Sequence, residues 1–174
     1  LIAAAGPGGG PAVAVFDGVT GTEIRRFEAF ESTFRGGVLV ASGDLDRDAY
    51  ADIAVSPDNG GGPRVIVVSG RDGRVLIDFF AIDDPAFRGG VRVAFGDVNG
   101  DGFLDLIAAA GTGGGPRIAV WDGRSLGEGL TPVRLIDDFF AFEPSLRNGA
   151  FAAVGDANGD SLDDLIAGAG PGGS

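Results

Sequence analysis

Apolar residues in this chain come in short runs of about five to eight, each bounded by Gly, Pro, Asp or Asn. Around the middle, VRVAFGD (91–97) leads into a polar loop and DLIAAAG (105–111) leads out of it. A GGGP turn then feeds RIAVWDG (117–123), and a longer connection reaches LIDDFFAF (135–142). These segments are rich in β-branched and aromatic residues, and none keeps an apolar recurrence at i, i+3, i+4. The pattern predicts four short strands per unit and an all-β chain.

The same order of segments returns along the chain. GDLDRDAYADIAV begins at Gly43, GDVNGDGFLDLIA at Gly96 and GDANGDSLDDLIA at Gly155. FEAFE (27–31), FFAID (79–83) and FFAFE (139–143) keep step with them. A repeat of 50–60 residues with four strands suits a β-propeller, in which each unit is one blade of four antiparallel strands. The units divide as 1–37 (a partial blade, strands two to four), 38–90, 91–149 and 150–174 (strands one and two), about three blade-equivalents. Propellers close with about 4–8 blades, so the expectation is one repeat array that further blades or self-association complete. Residue 1 is Leu and no leader pattern precedes it, which predicts a processed or excised piece.

The polar loops carry the candidate chemistry. Loop positions 1, 3, 5 and 9 are Asp44, Asp46, Asp48 and Asp52 in the first, and Asp97, Asn99, Asp101 and Asp105 in the second. In the third they are Asp156, Asn158, Asp160 and Asp164. Alternate side chains of a tight loop turn toward one centre, and position 7 can add its carbonyl (Tyr50, Phe103, Leu162). An all-oxygen, carboxylate-rich set fits Ca²⁺ better than Mg²⁺, which keeps more of its water. Asp, Asn and Gly also make turns without any ion, but three loops in register favour the cation. Position 12 is Val55, Ala108 or Ala167 where an EF-hand needs Glu, so these are hairpin loops and not helix–loop–helix sites.

Composition narrows the function. The formal net charge is −12, with 25 acidic residues, 13 Arg, no Lys and no His. So acidic a chain has no electrostatic footprint for nucleic acid. No apolar run approaches the ~20 residues of a membrane span. Cys is absent, which excludes disulfides and thiolate metal sites.

The Asp/Asn loop, the four-strand unit and the FGD…GGGP punctuation resemble FG-GAP/VCBS repeats, the calcium-bearing propeller blades of integrin α chains and many bacterial surface proteins. The resemblance spans essentially the whole chain. It implies a calcium-stiffened extracellular or cell-surface module for adhesion, binding protein or glycan partners.

Successive turns of a meander alternate between its two ends. The GGGP turns and the FRGG connections therefore share the end opposite the acidic loops. Arg35, Arg88 and Arg147 recur in the connections, and Arg64 and Arg117 follow the turns. A ring of guanidinium groups suits carboxylate or sulfate ligands; the same positions also suit carbonyl capping or ion pairs with Asp. Phe79, Phe80, Phe139, Phe140 and Trp121 are expected to pack between blades. GPGGGP lacks the Lys and helix of a phosphate loop.

Catalysis finds little support, because His, Lys and Cys are all missing and the regularly placed Asp residues belong to the loops. The expectation is a non-enzymatic binding module. The alternatives are a structural spacer of a large secreted protein and, less favoured, part of a carbohydrate-active enzyme.

Overall fold

The computed structural model describes residues 1–172. Thirteen strands form four antiparallel sheets, each joined in sequence order. The first sheet holds β1 (Ile2–Ala4), β2 (Ala12–Phe16) and β3 (Glu23–Glu28). The second holds β4 (Val38–Gly43), β5 (Asp52–Pro57), β6 (Arg64–Val68) and β7 (Val75–Phe80). The third holds β8 (Val91–Gly96), β9 (Asp105–Ala110), β10 (Arg117–Trp121) and β11 (Arg134–Phe140). The fourth holds β12 (Ala150–Gly155) and β13 (Asp164–Ala169).

The sheets stack face to face in chain order, with β1 against β4, β4 against β8 and β8 against β12. Each interface has its own apolar core. Val13, Val38, Ile53 and Val55 fill the first. Val65, Val67, Leu106 and Ala119 lie in the second, and Ile107, Ile118, Val120 and Ala150 in the third. This explains why β5 and β9 read as unbroken apolar runs. They are second strands with a sheet on either side, and all six residues of each are buried. The fourth strands are more open, and β7 and β11 hold only half-buried and exposed residues, because they lie at sheet edges.

Glycines tie the sheets together where no side chain fits. Gly90 N donates to Gly61 O at 3.1 Å, which links the second sheet to the third, and Gly90 O accepts from Gly111 N at 3.0 Å, which extends the β8–β9 pairing. At Gly90 φ is +74° and a Cβ would lie 2.4 Å from Pro57 O, so both the conformation and the space require glycine.

Two expectations change. The long connection of the third unit contains a helical turn, α1 (Gly123–Gly127), which the all-strand pattern did not predict. Asp122 caps it by accepting from Ser125 N at 2.8 Å, a short polar signal rather than an apolar period. The aromatic residues also divide. Phe79 packs edge-on against Trp121 at 4.9 Å across the second interface, and Trp121 Nε1 donates to Ala81 O at 3.0 Å. Phe80 and Phe140, however, remain 53% and 49% exposed, because strand alternation turns the second Phe of each pair the other way. Phe139 is 36% exposed, since the fourth sheet has no third or fourth strand among the described residues to cover it.

Candidate metal centre

The three acidic loops span the same register. Gly43 pairs with Asp52, Gly96 with Asp105 and Gly155 with Asp164, so each loop leaves and re-enters its sheet at matching positions. Backbone N–H groups then fold each loop around its first aspartate. Asp44 accepts from Asp48 N and Ala49 N, each at 3.0 Å. Asp97 accepts from Gly100 N at 2.8 Å and Gly102 N at 2.9 Å. Asp156 accepts from Gly159 N at 2.6 Å and Ser161 N at 3.0 Å. Loop positions 4 and 6 are left-handed every time. Arg47, Gly100 and Gly159 have φ of 61°, 74° and 84°; Ala49, Gly102 and Ser161 have 70°, 82° and 69°. The geometry is kept even where the sequence supplies no glycine.

The first loop brings its carboxylates closest. One oxygen each of Asp44, Asp46 and Asp48 lies within 4.8 Å of the others, a group able to hold a metal ion. Asp46 Oδ1 is buried and has no hydrogen-bond partner. A buried charged oxygen without a donor is costly, and a cation held there would supply what is missing. The other two loops place Asn99 and Asn158 at position 3, so each gathers one charge fewer.

Position 9 also serves the backbone. Asp52 and Asp105 are fully buried. Asp105 accepts from Val98 N at 3.0 Å and from Gly123 N at 2.9 Å, joining its loop to the start of α1. Asp52 does the same with Leu45 N at 2.8 Å and Gly70 N at 3.1 Å. These bonds place the strand 3–4 connection at the acidic end of the sheet. Asp164 has no such connection beside it among the described residues and takes Ala157 N at 2.9 Å and the Asn158 amide at 3.3 Å. Burial pushes the Asp105 carboxyl up to about 6; the N–H groups of Gly123 and Val98 oppose the shift, and the charges of Asp101 and Asp97 add to it. Burial raises Asp52 as well. Tyr50 is exposed, Phe103 half-buried and Leu162 exposed.

Adjacent loops touch. The Arg47 guanidinium lies 4.8 Å above the Phe103 ring. A Cβ on Gly100 would sit 2.6 Å from Leu162 Cδ2, and Asp163 Oδ2 accepts from Asp97 N at 3.0 Å. Asp163 was not singled out from the sequence. Its only signal is an extra acid where the other loops have Ala51 and Leu104. Arg74 and Arg71 were missed too; they lie 3.2 Å from Asp46 and 3.9 Å from Asp48.

The five arginines of the opposite end divide by role. Arg64 makes two bonds to Asp78, at 2.8 and 2.7 Å, and Arg117 lies 3.4 Å from Asp138. Arg35, Arg88 and Arg147 each turn Nη1 onto two carbonyls of their own connection: Ser32 and Phe34, Pro85 and Phe87, Pro144 and Leu146.

A family model for the FG-GAP repeat matches residues 89–124. The matched segment runs from Gly89 through β8, the second acidic loop, β9 and β10 into α1. Among the described residues, no helix is long and apolar enough to cross a membrane.

Proposed function

We propose that the chain is a calcium-stiffened, propeller-like recognition module of an extracellular or cell-surface protein. The carrying observation is the first loop: three carboxylates that converge within 4.8 Å, one presenting a buried oxygen with no donor. Side chains at positions 1, 3 and 5 of each loop would hold the ion, with the position 7 carbonyl and position 9 carboxylate beside them. Oxygen ligands of this number and flexibility suit Ca²⁺. Bound calcium neutralises the crowded carboxylates and, by binding only the folded state, stabilises it.

The contacts between neighbouring loops give that binding a mechanical consequence. Fixing Asp97 also fixes the backbone N–H that Asp163 holds, so one loop's order supports the next sheet. A stiff row of sheets presents its other end as a fixed surface, which is what a binding module needs. The FG-GAP match over the second loop supports the same reading, as repeats of this family occur in extracellular proteins. We place binding, not catalysis, in this chain, with protein or glycan as the partner.

The test is thermal unfolding with and without calcium. At a free calcium concentration about 100-fold above Kd, one site adds about 2.7 kcal/mol, which raises Tm by about 5–11 °C for a domain of this size. Magnesium should do less. A melt unmoved by exhaustive chelation, together with no heat on calcium titration, would remove the cation from this reading.

A further inference from the structure

At the end of the sheets opposite the acidic loops lie two clefts built alike. The first, about 330 Å³, is lined by Phe34, Gly61, Phe80 and Arg88. The second, about 240 Å³, is lined by Phe87, Gly114, Phe140 and Arg147, the same positions one repeat later. Their aromatic walls face solvent, with Phe80 and Phe140 about half exposed. Single-ligand pockets usually start near ~300 Å³, so each cleft suits one ring-sized group.

One arginine in each cleft has no ion-pair partner among the described residues. Arg64 and Arg117 also line them, but each is paired with an aspartate. Arg88 and Arg147 form no ion pair among the described residues, although the chain carries 25 acids and only 13 Arg. Nη1 of each is held by two carbonyls, at 2.7 and 2.7 Å for Arg88 and 2.6 and 2.8 Å for Arg147. That clasp fixes the guanidinium plane and leaves Nε and Nη2 for a ligand. Each cleft is also lined by one acid with a partner of its own: Glu31 in the first lies 3.7 Å from Arg64, and Asp84 in the second accepts from Ala86 N at 3.2 Å.

We infer that each cleft takes a hexuronate ring of an acidic polysaccharide. The carboxylate meets the fork of Arg88 or Arg147, and a C–H face of the ring lies on Phe80 or Phe140. An acyclic Asp or Glu side chain reaches the guanidinium but leaves the phenyl wall bare, which disfavours an acidic peptide. Two equivalent clefts on successive sheets fit a polymer of repeating units and give avidity without any new contact.

This inference rests on the recognition reading above, and its test separates the two. A glucuronate trimer, its methyl ester and hexaglutamate are titrated calorimetrically into the intact chain in calcium. The acid trimer should bind, with the ester and the peptide at least tenfold weaker. Arg88→Gln with Arg147→Gln should weaken the acid trimer at least tenfold. Phe80→Ala with Phe140→Ala should do the same at unchanged Tm, which decides the matter if the arginine variant unfolds. Equal binding of ester and acid, equal or tighter binding of hexaglutamate, or no binding of the trimer at millimolar concentration overturns the inference. Melts of the same samples with and without chelator report on calcium separately. A calcium-dependent melt without trimer binding sinks the cleft proposal alone; loss of both sinks the reading beneath it.

Discussion

Arg74 reaches from the β6–β7 hairpin into the first acidic loop, where its Nη2 donates to Asp46 Oδ2 at 3.2 Å. The guanidinium is a built-in cation beside the carboxylate that has one bare oxygen. It would compete with a divalent ion bound there for the same charge. Arg74→Gln should therefore raise the first loop's calcium affinity by about twofold to fivefold, the equivalent of an exposed ion pair worth about 0.5–1 kcal/mol. Calorimetric titration measures this, and an unchanged or weaker affinity contradicts the competition.

Asp105 is a second point of test, because both of its oxygens hold buried backbone donors. Asp105→Ala strands Val98 N and Gly123 N. The expected loss is about 2–4 kcal/mol in chelator, from two unsatisfied buried groups. Asp164→Ala, at a half-buried residue with no strand 3–4 connection beside it among the described residues, should cost about 1 kcal/mol or less. Urea unfolding of both variants in chelator separates this backbone role from any loss of calcium.

Left-handed positions without glycine should respond to glycine. Ala49 has φ of 70°. Ala49→Gly removes a conformational cost of about 1–2 kcal/mol and adds unfolded-chain freedom worth about 0.4–1 kcal/mol. A net gain of up to about 1.6 kcal/mol is expected. Gly102→Ala, at φ of 82°, should lose a similar amount. Denaturation midpoints in chelator read both, and a destabilised Ala49→Gly contradicts the strain assigned here.

The sheet-joining glycines give a larger effect. Gly90→Ala meets Pro57 O as well as an unfavourable φ and should cost about 2–5 kcal/mol. Gly60→Ala is the control. Its φ is +87° but nothing lies within 4 Å, so it should cost about 1 kcal/mol. Equal losses for the two would mean that space at the interface does not matter.

The Arg64–Asp78 pair predicts a pH effect. Arg64's hydrogen bonds hold the Asp78 carboxyl below its usual range. A folded pKa below the unfolded one stabilises at pH above the unfolded value and loses that contribution as pH falls through the folded value. Asp78→Asn should therefore be less stable than the natural chain from pH 7 down to about 5, with the gap closing below about 4. Because Asp78 is partly exposed, the gap should not exceed about 1 kcal/mol. A gap that widens on acidification contradicts the sign.

Much of the architecture was legible because it repeats. A strand signal such as DLIAAA is ambiguous alone, but its return as DIAVSP and DLIAGA, each after an acidic loop, locates the second strand of every unit. The four-strand sheets follow from that spacing. The α1 turn was not legible, since five residues are too few to show a helical period and its cap is a single Asp. The acidic loops were legible as loops, because Asp and Asn at alternate positions need no partner from elsewhere in the chain. The arginines beside them were not. Arg74 is 28 residues from Asp46, and only the β6–β7 hairpin's return to the same end joins them.

By itself the sequence determined what short-range chemistry dictates: strand length, turn position, the acidic spacing and the absence of Cys, Lys and His from any site. The tertiary structure decided which faces meet. Asp105 and Asp164 occupy the same repeat position, yet one is sealed against Gly123 and the other is half-open to water. Burial is set by what packs above a residue, and that neighbour comes from another strand or sheet, at a distance that local spacing does not encode.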